Sequence, residues 1–291
     1  MMELDRRFAT ALKNLSDAPP PMAEAIRKQD GMSEAPDVLI FSPAFTTMDI
    51  HRPASLLALT STHWAIALSS GLAADKTETP ENISVDTSPY SHTLVVALSI
   101  LLLDGRLALH ASGNTSTALV VYFNTVMEKI YREAAFFALD RIFAGTGETG
   151  EESPRNRNFS KTGLSMKFHS ALERFTPPDR SVHSYVAWPA AFGGFHRQLS
   201  PAAMLVRTEN ELILISDEAP SGGLFHSPQQ NLGYVVTYMP RKRIRAVTCR
   251  PGTKLSTLEI TLAADNMAES ITVLVPPETT ADAKSVAVGN G

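Results

Sequence analysis

Residues 57–69 read LALTSTHWAIALS, and residues 205–217 read LVRTENELILISD. Thr60 falls on Thr208, Trp64 on Leu212 and Ile66 on Leu214, at a constant offset of 148 residues (208 − 60). In each stretch a short polar break separates two apolar runs, the pattern of two strands joined by a tight turn. The same offset sets Tyr90 on Tyr238 and Val96 on Ile244. One β-rich module copied in tandem accounts for these matches. The expectation is a two-domain, mainly β chain with flanking helices, of the α+β class.

Working outward from the first copy, Val38–Ser42 reads as a strand ended by Pro43, and Ser84-Val85 opens another before a turn at Ser88-Pro89. Leu94–Leu103 and Leu107–Ala111 flank Asp104-Gly105, which reads as a hairpin turn with the glycine supplying positive φ. Thr117–Phe123 is one more strand. Thr125 and Glu128 then form a T-x-x-E capping box. Val126, Ile130, Tyr131, Ala134 and Phe137 carry a helix on to about Phe143. It is placed to cover one open end of a β-barrel or sandwich.

The second copy repeats the order. Met204–Val206 and Leu212–Ile215 flank a turn at Glu209-Asn210, and Gly233–Met239 is a strand ended by Pro240. Ile244–Cys249, Leu255–Leu262 and Ile271–Val275 complete the set. Pro276-Pro277 and a small, polar tail follow, with the composition of a disordered segment. Ahead of both copies, Leu4, Phe8, Leu12 and Leu15 have helical spacing up to a break at Pro19-Pro20-Pro21, with another turn or two at Met22–Lys28. Between the copies, residues 145–163 are linker-like, Leu164, Phe168, Ala171, Leu172 and Phe175 return to helical spacing, and residues 180–200 look irregular. The layout is an N-terminal helical extension (1–35), a first domain (36–144), a linker with a short helix (145–199), a second domain (200–276) and a disordered tail (277–291).

With 44% hydrophobic and 19% charged residues, this 291-residue composition is that of a soluble globular protein. A net charge of −4 provides no global pull toward nucleic acid or an acidic membrane. The single Cys249 cannot close an internal disulfide and reads as a buried thiol in a reducing compartment. The N-terminal basic residues have no apolar run behind them, and Leu94–Leu103 is half the length of a membrane span. A cytoplasmic chain that is not transmembrane is expected.

Each half runs hairpin, loop, strand, strand, hairpin-linked strands, and in the second half the texture is T-x-x-x-L-x-L-I, Y-x-P-x-x-x-I-x-x-V, LEITL and ITVLV. This resembles the bacterial pleckstrin-homology-like domains over residues 36–144 and 200–276. The resemblance implies two tandem small β-barrels of seven strands, the first closed by its C-terminal helix at Thr125–Phe143. The second copy departs from the pattern in lacking a helical signal after Val275.

For chemistry, the sharpest cluster is Arg241-Lys242-Arg243-Ile244-Arg245. Strand alternation would put Arg241, Arg243 and Arg245 on one face, where guanidinium groups could hold phosphate or carboxylate. A solvated face paired with Glu209, Glu211 or Asp217 is the competing reading. The resemblance implies basic residues at the first hairpin for lipid headgroups, but here that hairpin is acidic (Glu209, Glu211) in one copy and neutral (Ser61, Thr62, His63) in the other. Phe195-His196 and Phe225-His226 follow glycine pairs and read as loops offering aromatic anchors to a partner. The eight histidines lack metal-ligand spacing, and no nucleophile elbow, Walker loop or dinucleotide fingerprint occurs. Asp49, Asp104 and Asp217 show no catalytic partner. No catalytic residue, metal or cofactor is expected. The leading expectation is a non-enzymatic interaction or scaffold protein that binds a protein or peptide. Anionic-ligand or acidic-membrane binding through the arginine face is an alternative, and an enzyme with an unrecognised inter-domain site is another.

Overall fold

The computed structural model describes residues 8–32, 34–47, 50–69, 83–111, 119–144, 164–194, 197–217, 233–265 and 267–289. The chain divides into two units, Met1–Gly147 and Glu148–Gly291. Unit 1 holds β1 (Thr10–Ala11), α1 (Pro20–Arg27), β2 (Val38–Ser42), a short hairpin of β3 (Phe45–Thr47) and β4 (Ile50–Arg52), then β5 (Ala54–Leu59), β6 (His63–Ser69) and β7 (Ile83–Pro89). After a 3-10 turn at Tyr90–His92 come β8 (Thr93–Leu101), β9 (Asp104–Ala111), β10 (Leu119–Asn124) and α2 (Glu128–Ala144).

Strands β1, β2, β5, β6 and β7 form one antiparallel sheet in the order 1-2-5-6-7, and β8, β9 and β10 form an antiparallel meander. All six residues of β5 are buried, so it shows no alternation of apolar and polar residues. Ala54, Leu56 and Ala58 share a core with Ala65 and Ala67 of β6 and with Met22, Ala23 and Ile26 of α1. Four alanines on that face let the helix lie close to the sheet. Trp64, on the opposite face by the period of two, is fully buried and donates its indole N–H to Thr93 Oγ1 at 2.9 Å. Helix α2 packs on β8 and stacks Tyr131 on Phe123, ring centroids 4.0 Å apart.

Unit 2 holds α3 (Met166–Phe175), β11 (Val182–Trp188), a hairpin of β12 (Ala191–Phe192) and β13 (Gln198–Ser200), then β14 (Ala203–Thr208), β15 (Glu211–Asp217) and β16 (Tyr234–Pro240). A 3-10 turn at Arg241–Arg243 leads to β17 (Ile244–Arg250), β18 (Ser256–Ala264), β19 (Met267–Val275) and α4 (Thr280–Val288). The order 11-14-15-16 follows from antiparallel pairing, and β17-β18-β19 is a second meander. Helix α3 buries Phe168, Ala171, Leu172 and Phe175 as its spacing predicted. Tyr238 OH donates to the Phe175 carbonyl at 2.9 Å.

The two units thus share one order: helix, strand, short hairpin, three strands, 3-10 turn, three-stranded meander, helix. The repeat extends to single hydrogen bonds. Thr60 Oγ1 accepts from the N–H of Thr62 (3.3 Å) and His63 (3.0 Å) and donates to the His63 carbonyl (3.0 Å). Thr208 Oγ1 accepts from Asn210 (3.3 Å) and Glu211 (2.9 Å) and donates to the Glu211 carbonyl (3.1 Å). The offset then changes. Pro89 lies opposite His63 and Pro240 opposite Glu211, so the copies run 151 residues apart from there (240 − 89). The connection from Asp217 to Tyr234 is three residues longer than that from Ser69 to Ile83 (17 against 14). Tyr90 therefore corresponds to Arg241, not Tyr238, and Val96 to Val247, not Ile244. Both strands after this point carry a bulge at the same place, Thr93/Val95 in β8 and Ile244/Ala246 in β17.

Several expectations change. The expected single N-terminal helix does not form: Thr10–Ala11 pairs with β2, Leu15 opens only a three-residue 3-10 turn (Leu15–Asp17), Leu4 lies outside the described residues, and the prolines start α1 instead of ending a helix, because proline suits a first helical turn. Residues 180–200 are not irregular but supply β11, β12 and β13, so the second module begins well before residue 200. The expected disordered tail contains α4, which packs on β11, β14, β17 and β18. The Thr125–Glu128 capping box does not form; Asn124 Oδ1 caps Val126 N–H at 3.1 Å, and Glu128 pairs with Arg132 at 2.8 Å. Among the described residues no sheet closes on itself, so the expected closed barrels are not seen.

The turn between β8 and β9 is Leu102-Leu103 rather than Asp104-Gly105. Gly105 is needed for a different reason: it pairs with Phe123, and a Cβ at residue 105 would lie 2.2 Å from that buried ring. Gly105→Ala is expected to lower stability by about 1–3 kcal/mol, the usual cost of overpacking. Urea denaturation with an unchanged slope would measure it; an unaltered midpoint would refute this account of the glycine.

Candidate functional site

The three arginines singled out from the sequence do not share a strand face. Arg241 and Arg243 lie in the 3-10 turn, and of the three only Arg245, on β17, is exposed. Arg241 Nη1 donates to the carbonyls of Glu209 (2.8 Å) and Thr208 (3.4 Å), which ties the turn to the β14–β15 hairpin. Desolvation and the nearby Arg207 lower its pKa, with Glu209 and Glu211 acting in the opposite sense. Arg243 is half-buried and also lowered by burial, with Asp265 favouring its charge. Arg241 is thus engaged in holding the fold.

The β14–β15 hairpin gathers the densest polar cluster of unit 2. Glu211 is almost wholly buried; its Oε2 lies 2.7 Å from Thr208 Oγ1 and shares that hydroxyl's single hydrogen with the Glu211 carbonyl, and its Oε1 faces Arg180 Nε at 3.3 Å. Burial raises its pKa, with Arg180 and Thr208 working in the opposite sense. Glu209 accepts from the Ser181 N–H at 2.8 and 3.0 Å and stands 3.9 Å from His183. Lys167 pairs with Asp217. The acids expected to neutralise the arginine run are instead paired with Arg180, Ser181 and Lys167, ahead of the second copy as it was delimited from sequence.

In unit 1 the equivalent chemistry sits at the other end of the strands. Asp104, at the start of β9, receives Arg52 Nε and Nη2 at 3.2 and 2.6 Å and Arg106 Nε and Nη2 at 3.2 and 2.9 Å. Arg52 lies 4.1 Å from the centroid of the Tyr122 ring. Arg52 and Asp104 are buried, so this bidentate pair is sheltered from water and salt. Directly before it, Leu102 and Leu103 point outward at 48% and 55% exposure, and Val126 at 68%. Thr125 joins them: its hydroxyl donates to the Leu102 carbonyl and its N–H to the Leu103 carbonyl. Leu102 has φ of +48°, a left-handed conformation that costs a residue with a Cβ about 1–2 kcal/mol. This is an exposed apolar tip on a charged, rigid base, in a backbone conformation that Asn or Gly adopts at less cost. From the sequence, the run Leu101-Leu102-Leu103 reads as strand; three leucines bear no turn signal.

The remaining candidates fall apart in space or lie outside the described residues. Phe195, His196, Phe225, His226 and Asp49 are outside them; the neighbouring Phe192 is exposed. Among the described residues no group of three or more His, Cys, Asp or Glu is placed to hold a metal. His63 packs its ring against Gly31 and bonds Thr62 Oγ1 at 2.9 Å. Cys249 is half-buried on β17 rather than in a core. Burial raises the pKa of the Tyr90 and Tyr131 phenols well above the usual value, which keeps both protonated and unsuited to acid–base work near neutrality. A shallow cleft between α1 and β7, about 230 Å³ and lined by Pro21, Glu24, Lys28, Ile83 and Val85 among others, is below the usual size of a small-molecule site. No helix of the described residues is long and apolar enough to cross a membrane.

Because the folded value of Glu211 lies above its unfolded 4.5, the native state keeps that proton longer than the unfolded chain. Its contribution to stability is complete below pH 4.5 and is lost as pH rises through the raised value. The stability of Glu211→Gln relative to the parent is therefore expected to improve as pH rises from 4.5 through the raised value. Denaturant melts of both proteins across that interval would show it, and a pH-independent difference would rule it out.

No family model matches the chain, and no curated protein matches it.

Proposed function

We propose that this chain is a non-enzymatic interaction protein, built from tandem pleckstrin-homology-like modules, that binds a protein or peptide partner offering an apolar pocket. The observation that carries this reading is the Leu102–Leu103 tip with Val126 beside it. Exposed apolar side chains are ordinary when scattered; two on a tight turn, with a third in the 3-10 turn that Thr125 bonds to it, are not. The left-handed Leu102 adds a local cost that a soluble hairpin avoids with Asn or Gly. Such a cost persists where the surroundings hold it in place, and here Asp104, Arg52, Arg106 and Thr125 do so. A rigid apolar anchor loses little conformational entropy when a partner covers it. The module assignment is supported by what the two units share: four antiparallel strands, joined by β1 in unit 1, then a three-stranded meander and a final helix.

This reading separates stability from binding at one residue. Leu102→Asn is expected to leave stability unchanged or raise it by up to about 1 kcal/mol, and Leu103→Asp to leave it nearly unchanged. Both are expected to lose a partner that the immobilised full-length parent retains from cell extract. Undiminished capture by both variants would sink the proposal. Flotation with acidic vesicles that Arg245→Glu abolishes would favour the anionic-surface alternative instead.

A further inference from the structure

The repeat allows the two units to be compared position by position. Leu59, the last residue of β5, lies opposite Trp64, and Arg207 lies opposite Leu212, so Arg207 holds in unit 2 the place of Leu59 in unit 1. Arg241 holds the place of Tyr90, the first residue of the 3-10 turn after the fourth strand. Unit 1 buries Leu59 and Tyr90 almost completely and packs α2 on the Tyr90 turn. Unit 2 has two half-buried arginines at the same two places. Where one copy packs an apolar pair, the other carries a pair of like charges. Arg241 spends its Nη1 on the carbonyls of Thr208 and Glu209. The neighbouring carboxylates are engaged elsewhere: Glu209 accepts from the Ser181 N–H, and Glu211 faces Thr208 and Arg180. Arg207 joins no hydrogen bond or ion pair among the described residues, and its Nε is buried without an acceptor. Its guanidinium lies against Gly289 at the C-terminal end of α4. The partial negative charge of a helix end suits an arginine, but a cap would donate to the last carbonyls and Arg207 does not. Capping therefore leaves its donors unexplained, and a buried donor without an acceptor calls for an occupant. Desolvation first, and Arg207 second, lower the pKa of Arg241, so the two cations act on one another.

We infer that Arg207 and Arg241 form a binding site for a phosphate group beside the C-terminal end of α4. A guanidinium presents paired N–H donors in the planar geometry that phosphate oxygens accept, and two of them can share one tetrahedral oxyanion. Two cations also match a phosphate monoester, which carries about −1.5 to −2 charges near neutrality. A bound phosphate gives Arg207 its acceptors and offsets the repulsion between the two arginines. The site is not the strand face of Arg241, Arg243 and Arg245: it draws Arg207 from β14, a residue in no basic run, and both of its arginines belong to unit 2. A soluble phosphate compound and a lipid headgroup share this chemistry.

The test is thermal melting of the full-length protein titrated with inorganic phosphate, against sodium chloride at matched ionic strength. The expected result is a melting temperature that rises with phosphate and not with chloride. Arg207→Leu copies unit 1 at this place. It is expected to melt at or above the parent without phosphate and to need roughly tenfold more phosphate for the same rise. Arg207→Lys keeps the charge but not the fork, so its response should fall between the two; it gives the comparison if the leucine variant does not fold. Lys254→Gln, at an exposed residue of the β17–β18 connection, should respond as the parent does. Vesicles of phosphatidylcholine with phosphatidic acid separate the sources. Cosedimentation that free phosphate competes away and Arg207→Leu lacks places the group on a lipid; a phosphate response without cosedimentation places it on a soluble compound. No stabilisation beyond that of chloride would overturn the inference. So would a response that both Arg207 variants keep in full, or one that Lys254→Gln loses equally.

Discussion

The hydroxyl of Thr60, and of Thr208 in the second copy, holds the register on which each sheet depends. Each closes a two-residue turn by accepting two main-chain N–H groups and donating to one carbonyl. A slip of one residue in β5 would exchange Leu56 for Leu57 across the sheet and put the small alanine face against the wrong layer. Helix α1 can approach only because Ala54, Ala58, Ala65 and Ala67 lie on one side. Other connections differ in length between the copies, yet this turn, like the 3-10 turn after the fourth strand, does not. That is why the duplication is still readable here when most surrounding residues have diverged.

What the sequence made legible follows from signal strength. Helix α3 and strands β2, β5, β6, β14, β15 and β16 were readable because their apolar residues are large and end at Pro or polar turns. Helix α4 was not, because Ala283, Val286 and Ala287 form a stripe too small to stand out from a polar tail. Its close is instead a three-dimensional fit: Gly289 has φ of +75°, and a Cβ there would strike the Arg207 guanidinium. Strand β11 was missed because five of its seven residues are only half-buried and one is exposed, which blurs any period of two. The constant offset of 148 failed past Asp217 because the copies differ by three residues in the following connection.

The candidate site was legible in composition but not in role. A basic run was visible, and a rule of strand alternation turned it into a binding face. The chain instead folds the first three of those residues into a 3-10 turn, so alternation does not apply to them. Arg241 then caps carbonyls of the hairpin next door, while Arg52 and Arg180, which stood out in no motif, hold the buried carboxylates. Buried pairs of this kind add little net stability over apolar packing, but removing one partner leaves a stranded charge. They fix geometry more than they add energy.

That distinction explains why the Leu102 tip sits where it does. A left-handed leucine would normally relax by letting the turn open, at a cost of a few main-chain bonds. Here opening would also pull Asp104 from Arg52 and Arg106, and Thr125 from the carbonyls of Leu102 and Leu103. The strain is smaller than the sum of those losses, so the turn keeps its shape with its apolar side chains outward. Asp104 has no acidic counterpart in the second copy, where the matching strand begins at Ser256. Duplication freed one copy to build this charged base and the other to carry Arg207 and Arg241 where the first buries Leu59 and Tyr90. The two units have kept a common frame while their surfaces have diverged.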